Sequence, residues 1–111
     1  MKTAVLLFLV FLSTTLMGQQ KTFIPDDNFE QIFIMNGFDD VLDDSIVTAN
    51  VSGMTHLNVQ GQGIQDMTGV EGFVSLTHLF CSNNNFSTLN LSQNTNLVFL
   101  DCGVNDFLTS I

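Results

Sequence analysis

Leu76-Thr77-His78-Leu79-Phe80-Cys81-Ser82-Asn83-Asn84-Asn85-Phe86 is the stretch on which the fold turns, because its pattern recurs on both sides. Downstream by 21 residues, Leu76, Leu79, Cys81, Asn84 and Phe86 return as Leu97, Leu100, Cys102, Asn105 and Phe107. Upstream by 22 residues, the same five positions read Met54, Leu57, Val59, Gln62 and Ile64. A fixed period in the twenties marks a chain built from stacked coils. Residues two apart on a short strand point to one side, so Leu79 and Cys81 face a core while His78 and Phe80 face away. Asn84 follows where the chain must bend, and its amide can bond the backbone of that bend and of its neighbour. No such unit closes its own core; each needs another against it.

Leu76-x-x-Leu79-x-Cys81-x-x-Asn84-x-Phe86 resembles the leucine-rich-repeat motif, L-x-x-L-x-L-x-x-N-x-L. The resemblance covers roughly residues 51–108, and the segment ahead of it resembles the N-terminal caps of secreted bacterial members. It implies an α/β fold: a leucine-rich-repeat solenoid with a short N-terminal helical cap and a parallel β-sheet of about three short strands. Within that family, binding through the outward strand face is implied, but no particular ligand is. Leu89-x-Leu91-x-x-Asn94 repeats Leu79-x-Cys81-x-x-Asn84 after ten residues, which resembles the short, nested bacterial repeats with extended segments on both sides. In the first unit Ile64, Met67, Val70 and Phe73 are spaced by three, which suits a 3₁₀ turn on the back and resembles internalin-like repeats.

Three regions follow: a signal peptide over 1–18, a cap segment over 19–48 and repeats over 49–111. Lys2, the apolar run from Ala4 to Leu12 and the softening toward Gly18 are the parts of a secretory signal. The run is shorter than the roughly 20 residues of a membrane span. With no cysteine beside the cleavage point, a lipid anchor is not expected, and neither is membrane insertion after cleavage. In the cap, Asp26 or Asp27 can start a helix, and Asp27-x-x-Glu30 has capping-box spacing. Phe29, Ile32, Phe33 and Met35 supply an apolar stripe, and Gly37 a stop. Asp39-Asp40-Val41-Leu42-Asp43-Asp44 reads as a turn with its two apolar residues tucked inward. At the other end, Ser110 stands where a Leu is due, and no polar closing element follows. An N-terminal fragment is therefore expected, with further repeats of the full-length chain beyond it.

The chain has 111 residues and a net charge of −9. Beyond the leader, Lys21 is the single basic side chain against eleven acids. That balance excludes a nucleic-acid footprint, which rewards Lys and Arg at phosphates, and disfavours an anionic membrane surface. It leaves open a cationic partner, a cation, a polysaccharide or another protein, and it also simply keeps an exported protein soluble. The partner expected is an extracellular protein or glycan.

His56 and His78 hold one template position just before Leu57 and Leu79, and Phe99 holds it in the third unit. Asn58, Phe80 and Asp101 form the next ladder along. The candidate ligand-binding face is thus His56, Asn58, His78, Phe80, Phe99 and Asp101, flanked by Gln60 and Ser82. Two readings stand: exposed aromatics that recognise a partner, or rings that merely stack across strands. Two stacked His lack a third metal ligand, and the Asp39–Asp44 acids lack calcium-loop spacing, so a solvated turn and no metal are expected. Cys81 and Cys102, at successive inward positions, are expected to be buried free thiols, since side chains on neighbouring parallel strands suit a disulfide poorly. No nucleophile elbow, metalloprotease motif or phosphate loop occurs, so neither catalysis nor a cofactor is expected. The function expected is an exported module, secreted or at the cell surface, that binds protein or glycan. The alternatives are a structural spacer and an accessory domain of a longer secreted enzyme.

Overall fold

Asp26 decides where the one α-helix among the described residues starts. In the computed structural model, which describes residues 20–111, its Oδ1 accepts the Phe29 amide at 3.1 Å and α1 runs over Asp27–Met35. The leader expected over 1–18 lies outside the described residues. Asp26 Oδ2 also accepts the Gln65 and Asp66 amides at 2.8 and 3.1 Å, so one carboxylate caps the helix and fastens it to the first repeat unit. The capping box does not form. Glu30 lies one residue too far along and instead accepts the Asp43 and Asp44 amides at 3.3 and 2.8 Å. At the far end, Phe38 N–H donates to Phe33 at 2.8 Å and Gly37 N–H to Ile34 at 3.2 Å. Gly37, with φ +80°, provides the left-handed residue this double closure needs.

The apolar stripe is shorter than expected: Phe29 and Phe33 are buried and Ile32 packs against the core, while Met35 is exposed. Val41 and Leu42 also depart from the reading that tucks them inward, being 54% and 45% exposed. The backbone is what docks here. Asp43 and Asp44 give their amides to Glu30, and the Asp44 carbonyl accepts from Ile24, which turns the loop tip outward.

Two short strands close the cap: β1 (Lys21–Phe23) pairs antiparallel with β2 (Ser45–Val47), an arrangement the sequence did not announce. The repeats then place β3 (His56–Asn58), β4 (His78–Phe80) and β5 (Phe99–Asp101) side by side in parallel. Their register is His56↔His78↔Phe99, Leu57↔Leu79↔Leu100 and Asn58↔Phe80↔Asp101, as the template requires. A 3₁₀ turn at Val70–Gly72 forms the back of the first unit, as its three-residue spacing predicts. Among the described residues the domain is α/β with one helix and short strands. Its parallel sheet is three strands wide and forms no closed superhelix.

The core runs through both parts. Phe33 and Phe29 meet Phe73 at 5.4 and 6.3 Å between ring centres, so the helix covers the first unit with an aromatic layer. Leu57, Val59, Leu76, Leu79, Cys81 and Phe86 continue it behind the strands. Gly69 and Gly72 allow β1 to approach: a Cβ on either would lie 2.6 Å from a side-chain atom of Ile24 or Thr22.

Asn84 stitches adjacent coils. Its Nδ2 donates to Val59 and Cys81 carbonyls at 2.9 and 3.0 Å, and its Oδ1 accepts from Gln62 and Ile64 amides at 3.1 and 3.0 Å. Asn105 repeats the donor half, reaching Cys81 and Cys102 carbonyls at 3.2 and 2.9 Å. Gln62 does not take this role; it is exposed and bonds its own strand end at Gln60. Asn94, from the nested half-unit, is buried and donates to Val70 and Phe73 carbonyls at 3.0 and 3.1 Å. The extended pairing expected around it reduces to one bridge, Thr88↔Ser110.

That bridge corrects one equivalence. The strand offset between the second and third units is 21 residues, but Thr88↔Ser110 is an offset of 22, so one residue is inserted after Asn105. Leu108, not Phe107, therefore packs where Phe86 sits, and Phe107 is left 64% exposed.

Candidate ligand-binding face

Each strand sends its middle residue inward, so the residues on either side of it turn out together. Leu57 and Leu79 are buried, and His56, Asn58, His78, Phe80, Phe99 and Asp101 share the opposite face. All six predicted residues are brought to one surface. His56 and His78 stack at 4.3 Å with planes 7° apart, and His78 faces Phe99 at 5.9 Å and 21°. Phe80 leans on Phe99 at 5.1 Å and 39°, joining the two ladders into one aromatic surface. The rings do stack on one another, yet His56 remains exposed and Phe99 is 45% exposed.

Local hydrogen bonds hold these groups in place. The Nδ1 atoms of His56 and His78 each lie 2.9 Å from the hydroxyl of the preceding Thr. The Thr77 hydroxyl donates its one proton to the Thr55 carbonyl at 3.0 Å. His78 Nδ1 must then be the protonated nitrogen, leaving the neutral ring's Nε2 as an outward acceptor. Asn58 Oδ1 accepts from the Gln60 amide and Asp101 Oδ1 from the Gly103 amide, at 3.1 and 3.3 Å. These bonds fix both side chains while the Asn58 Nδ2 and the second Asp101 oxygen stay available. The surface combines ring faces for stacking with a donor and acceptors at its flank, which suits recognition rather than bond making.

The remaining candidates carry less. Cys81 and Cys102 are free, Cys81 buried and Cys102 half-buried. Burial first, then the neighbouring Cys102 and Asp101, pushes the Cys81 thiol up to about 12, so it is no nucleophile. Carboxylates gather around Glu30 in the cap, where each Glu30 oxygen accepts one loop amide, so the group reads as a fastening. Sequence reasoning missed a groove of about 350 Å³ on the back, lined by Asp66, Thr68, Glu71, Thr88, Asn90 and Gln93. It has no aromatic lining, and its acids bond their own turns at Thr68 and Gly69.

No family model matches the sequence. Over 81 residues the chain is 41% identical to internalin J of Listeria monocytogenes serotype 4b (strain F2365), and 40% identical to internalin J of serovar 1/2a (strain ATCC BAA-679 / EGD-e). The chain is homologous to internalin J. These matches take in 70% of the chain and 9% of each internalin J, so the chain spans less than a tenth of its curated relatives' length. The functional domain of InlJ from the same species, described as including a cysteine ladder, has a similar structure. The TM-score is 0.66 at 34% identity, over 85% of this chain and 24% of that one. A Clostridium perfringens ZmpB structure, described as CBM51-2 in complex with GlcNAc and INT domains, is similar at TM-score 0.60 and 25% identity. That match covers 76% of this chain and 18% of the other. The chain is thus similar to a stretch of internalin J, and among the described residues no helix is long and apolar enough to cross a membrane.

Proposed function

We propose that this internalin-like segment is part of a leucine-rich-repeat solenoid in an exported, non-catalytic protein, and that its outward strand face binds an extracellular protein or glycan. The stacked aromatic surface of exposed His56 and Phe99 with half-buried His78 and Phe80 carries the reading. Stacked rings present large apolar area at little entropic cost, and the fixed Asn58 and Asp101 add directional bonds beside them. Homology to internalin J supports a surface or secreted setting, and the leader read over 1–18 supports export. The likeness to a chain described with a carbohydrate-binding module supports a glycan or glycoprotein as the kind of partner. The cysteine ladder described for the InlJ domain, together with Cys81 and Cys102 at successive inward positions, supports reading the start of such a ladder here.

An array of extracellular glycoproteins and free oligosaccharides, probed with the purified chain, tests the proposal. Capture on the array is expected, and Phe80→Ala with Phe99→Ala should abolish it, whereas Asn90→Ala on the back should not. Capture that survives the paired aromatic substitutions in a folded protein would rule out the strand face as the binding surface. No capture by the wild-type chain would favour the spacer reading, in which the rings only stack on each other.

A further inference from the structure

The cap holds a carboxyl pair that the strand face does not use. Glu30 is 0% exposed, and its two oxygens already accept the Asp43 and Asp44 amides. Asp39 accepts the Asp40 amide through Oδ1, while its Oδ2 is buried with no hydrogen-bond partner. Carboxylate oxygens of Glu30, Asp39 and Asp43 lie within 4.8 Å of one another. Those of Asp27, Glu30 and Asp44 do the same from the other side. Lys21, on β1, is the basic group acting here, and it acts on Asp43. Two ionised carboxylates at Glu30 and Asp39 would therefore put like charges together out of water, with one buried oxygen lacking any donor. A single proton between Asp39 Oδ2 and the Glu30 carboxylate removes both costs, because each Glu30 oxygen keeps a spare lone pair.

We propose that Glu30 and Asp39 share one proton, and that this proton bolts the loop over residues 37–44 to α1, making closure of the cap over the first repeat dependent on pH. Burial raises the Glu30 carboxyl most, the neighbouring Asp39 carboxyl next, and the two loop amides pull it back, leaving it at about 7. An unfolded glutamate titrates near 4.5. The closed cap therefore binds the proton more tightly than the opened one. Its extra stability is complete below the ordinary carboxylate range and is lost as pH rises through about 7.

Hydrogen exchange at the Asp43 and Asp44 amides, corrected for intrinsic rate and run with a metal chelator present, tests this directly. Between about pH 5 and about pH 8 their protection should fall on the order of fiftyfold. The Val59 amide, bonded to Phe80 within the sheet, should hold steady and report that the repeats stay folded. Asp39→Asn keeps every Glu30 acceptor in use and supplies its own N–H, so its protection should be flat over that range. Glu30→Gln should be flat as well, and failure of that variant to fold leaves Asp39→Asn as the deciding one. Unchanged wild-type protection across the range, or a slope in Asp39→Asn as steep as wild type, would overturn the shared proton.

Discussion

At the scale of single residues, side chains with several hydrogen bonds matter more than the leucines that name the motif. Asn84 bonds the Val59 and Cys81 carbonyls and the Gln62 and Ile64 amides, with all but the Gln62 contact buried. Asn84→Ala strands those groups and is expected to cost about 2–4 kcal/mol in denaturant unfolding. Gln62→Ala, at the equivalent position but pointing outward, should change stability by less than about 0.5 kcal/mol. Equal effects would mean that the asparagine position is decorative. The cysteines make a second residue-scale contrast. A thiol reagent near neutral pH should label half-buried Cys102 well before Cys81, whose thiolate is disfavoured by burial. Unfolded, unreduced protein should titrate two thiols; finding none in monomeric material would contradict the free pair.

Elements were legible in proportion to how often their pattern repeats. The strands β3 to β5 followed from five positions matched three times, and the outward residues followed from the alternation within each strand. The helix was legible in its stripe and stop, but not in its cap. Asp26 and Asp27 both fit the local spacing, and only the later amides of Gln65 and Asp66 select Asp26. The β1–β2 pair stayed hidden because neither strand recurs elsewhere in the chain, so no repeated template marks it. Phe107 aligned with Phe86 in sequence, yet the inserted residue appears only when Thr88 and Ser110 are seen to pair. Val41 and Leu42 misled for a related reason: apolar character reports on burial only where the backbone has no stronger claim on its position. The close packing of β1 on the 3₁₀ turn yields a prediction at this scale. Gly69→Ala combines φ +112° with a Cβ 2.6 Å from Ile24, so a loss of about 2–3 kcal/mol is expected in thermal or denaturant melts. A neutral result would place β1 further from the turn.

Across the described residues, a helix with an aromatic layer packs against the first repeat unit, and the sheet spreads its outward residues over three strands. The site was more legible than its ligand. Which residues share the face is a matter of period, whereas what they hold depends on chemistry the chain does not contain. The aromatic surface spans two adjacent ladders, so a partner that uses it must cross strands and should feel Phe80 and Phe99 together. The most direct measurement is the dissociation constant of the tightest array ligand for wild type, for the Phe80→Ala, Phe99→Ala pair, and for Asn90→Ala. The paired substitution is expected to weaken binding at least about thirtyfold, or roughly 2 kcal/mol, with Asn90→Ala unchanged and all three proteins melting alike. Equal affinity for wild type and the aromatic pair would contradict the claim that the outward strand face is the binding surface.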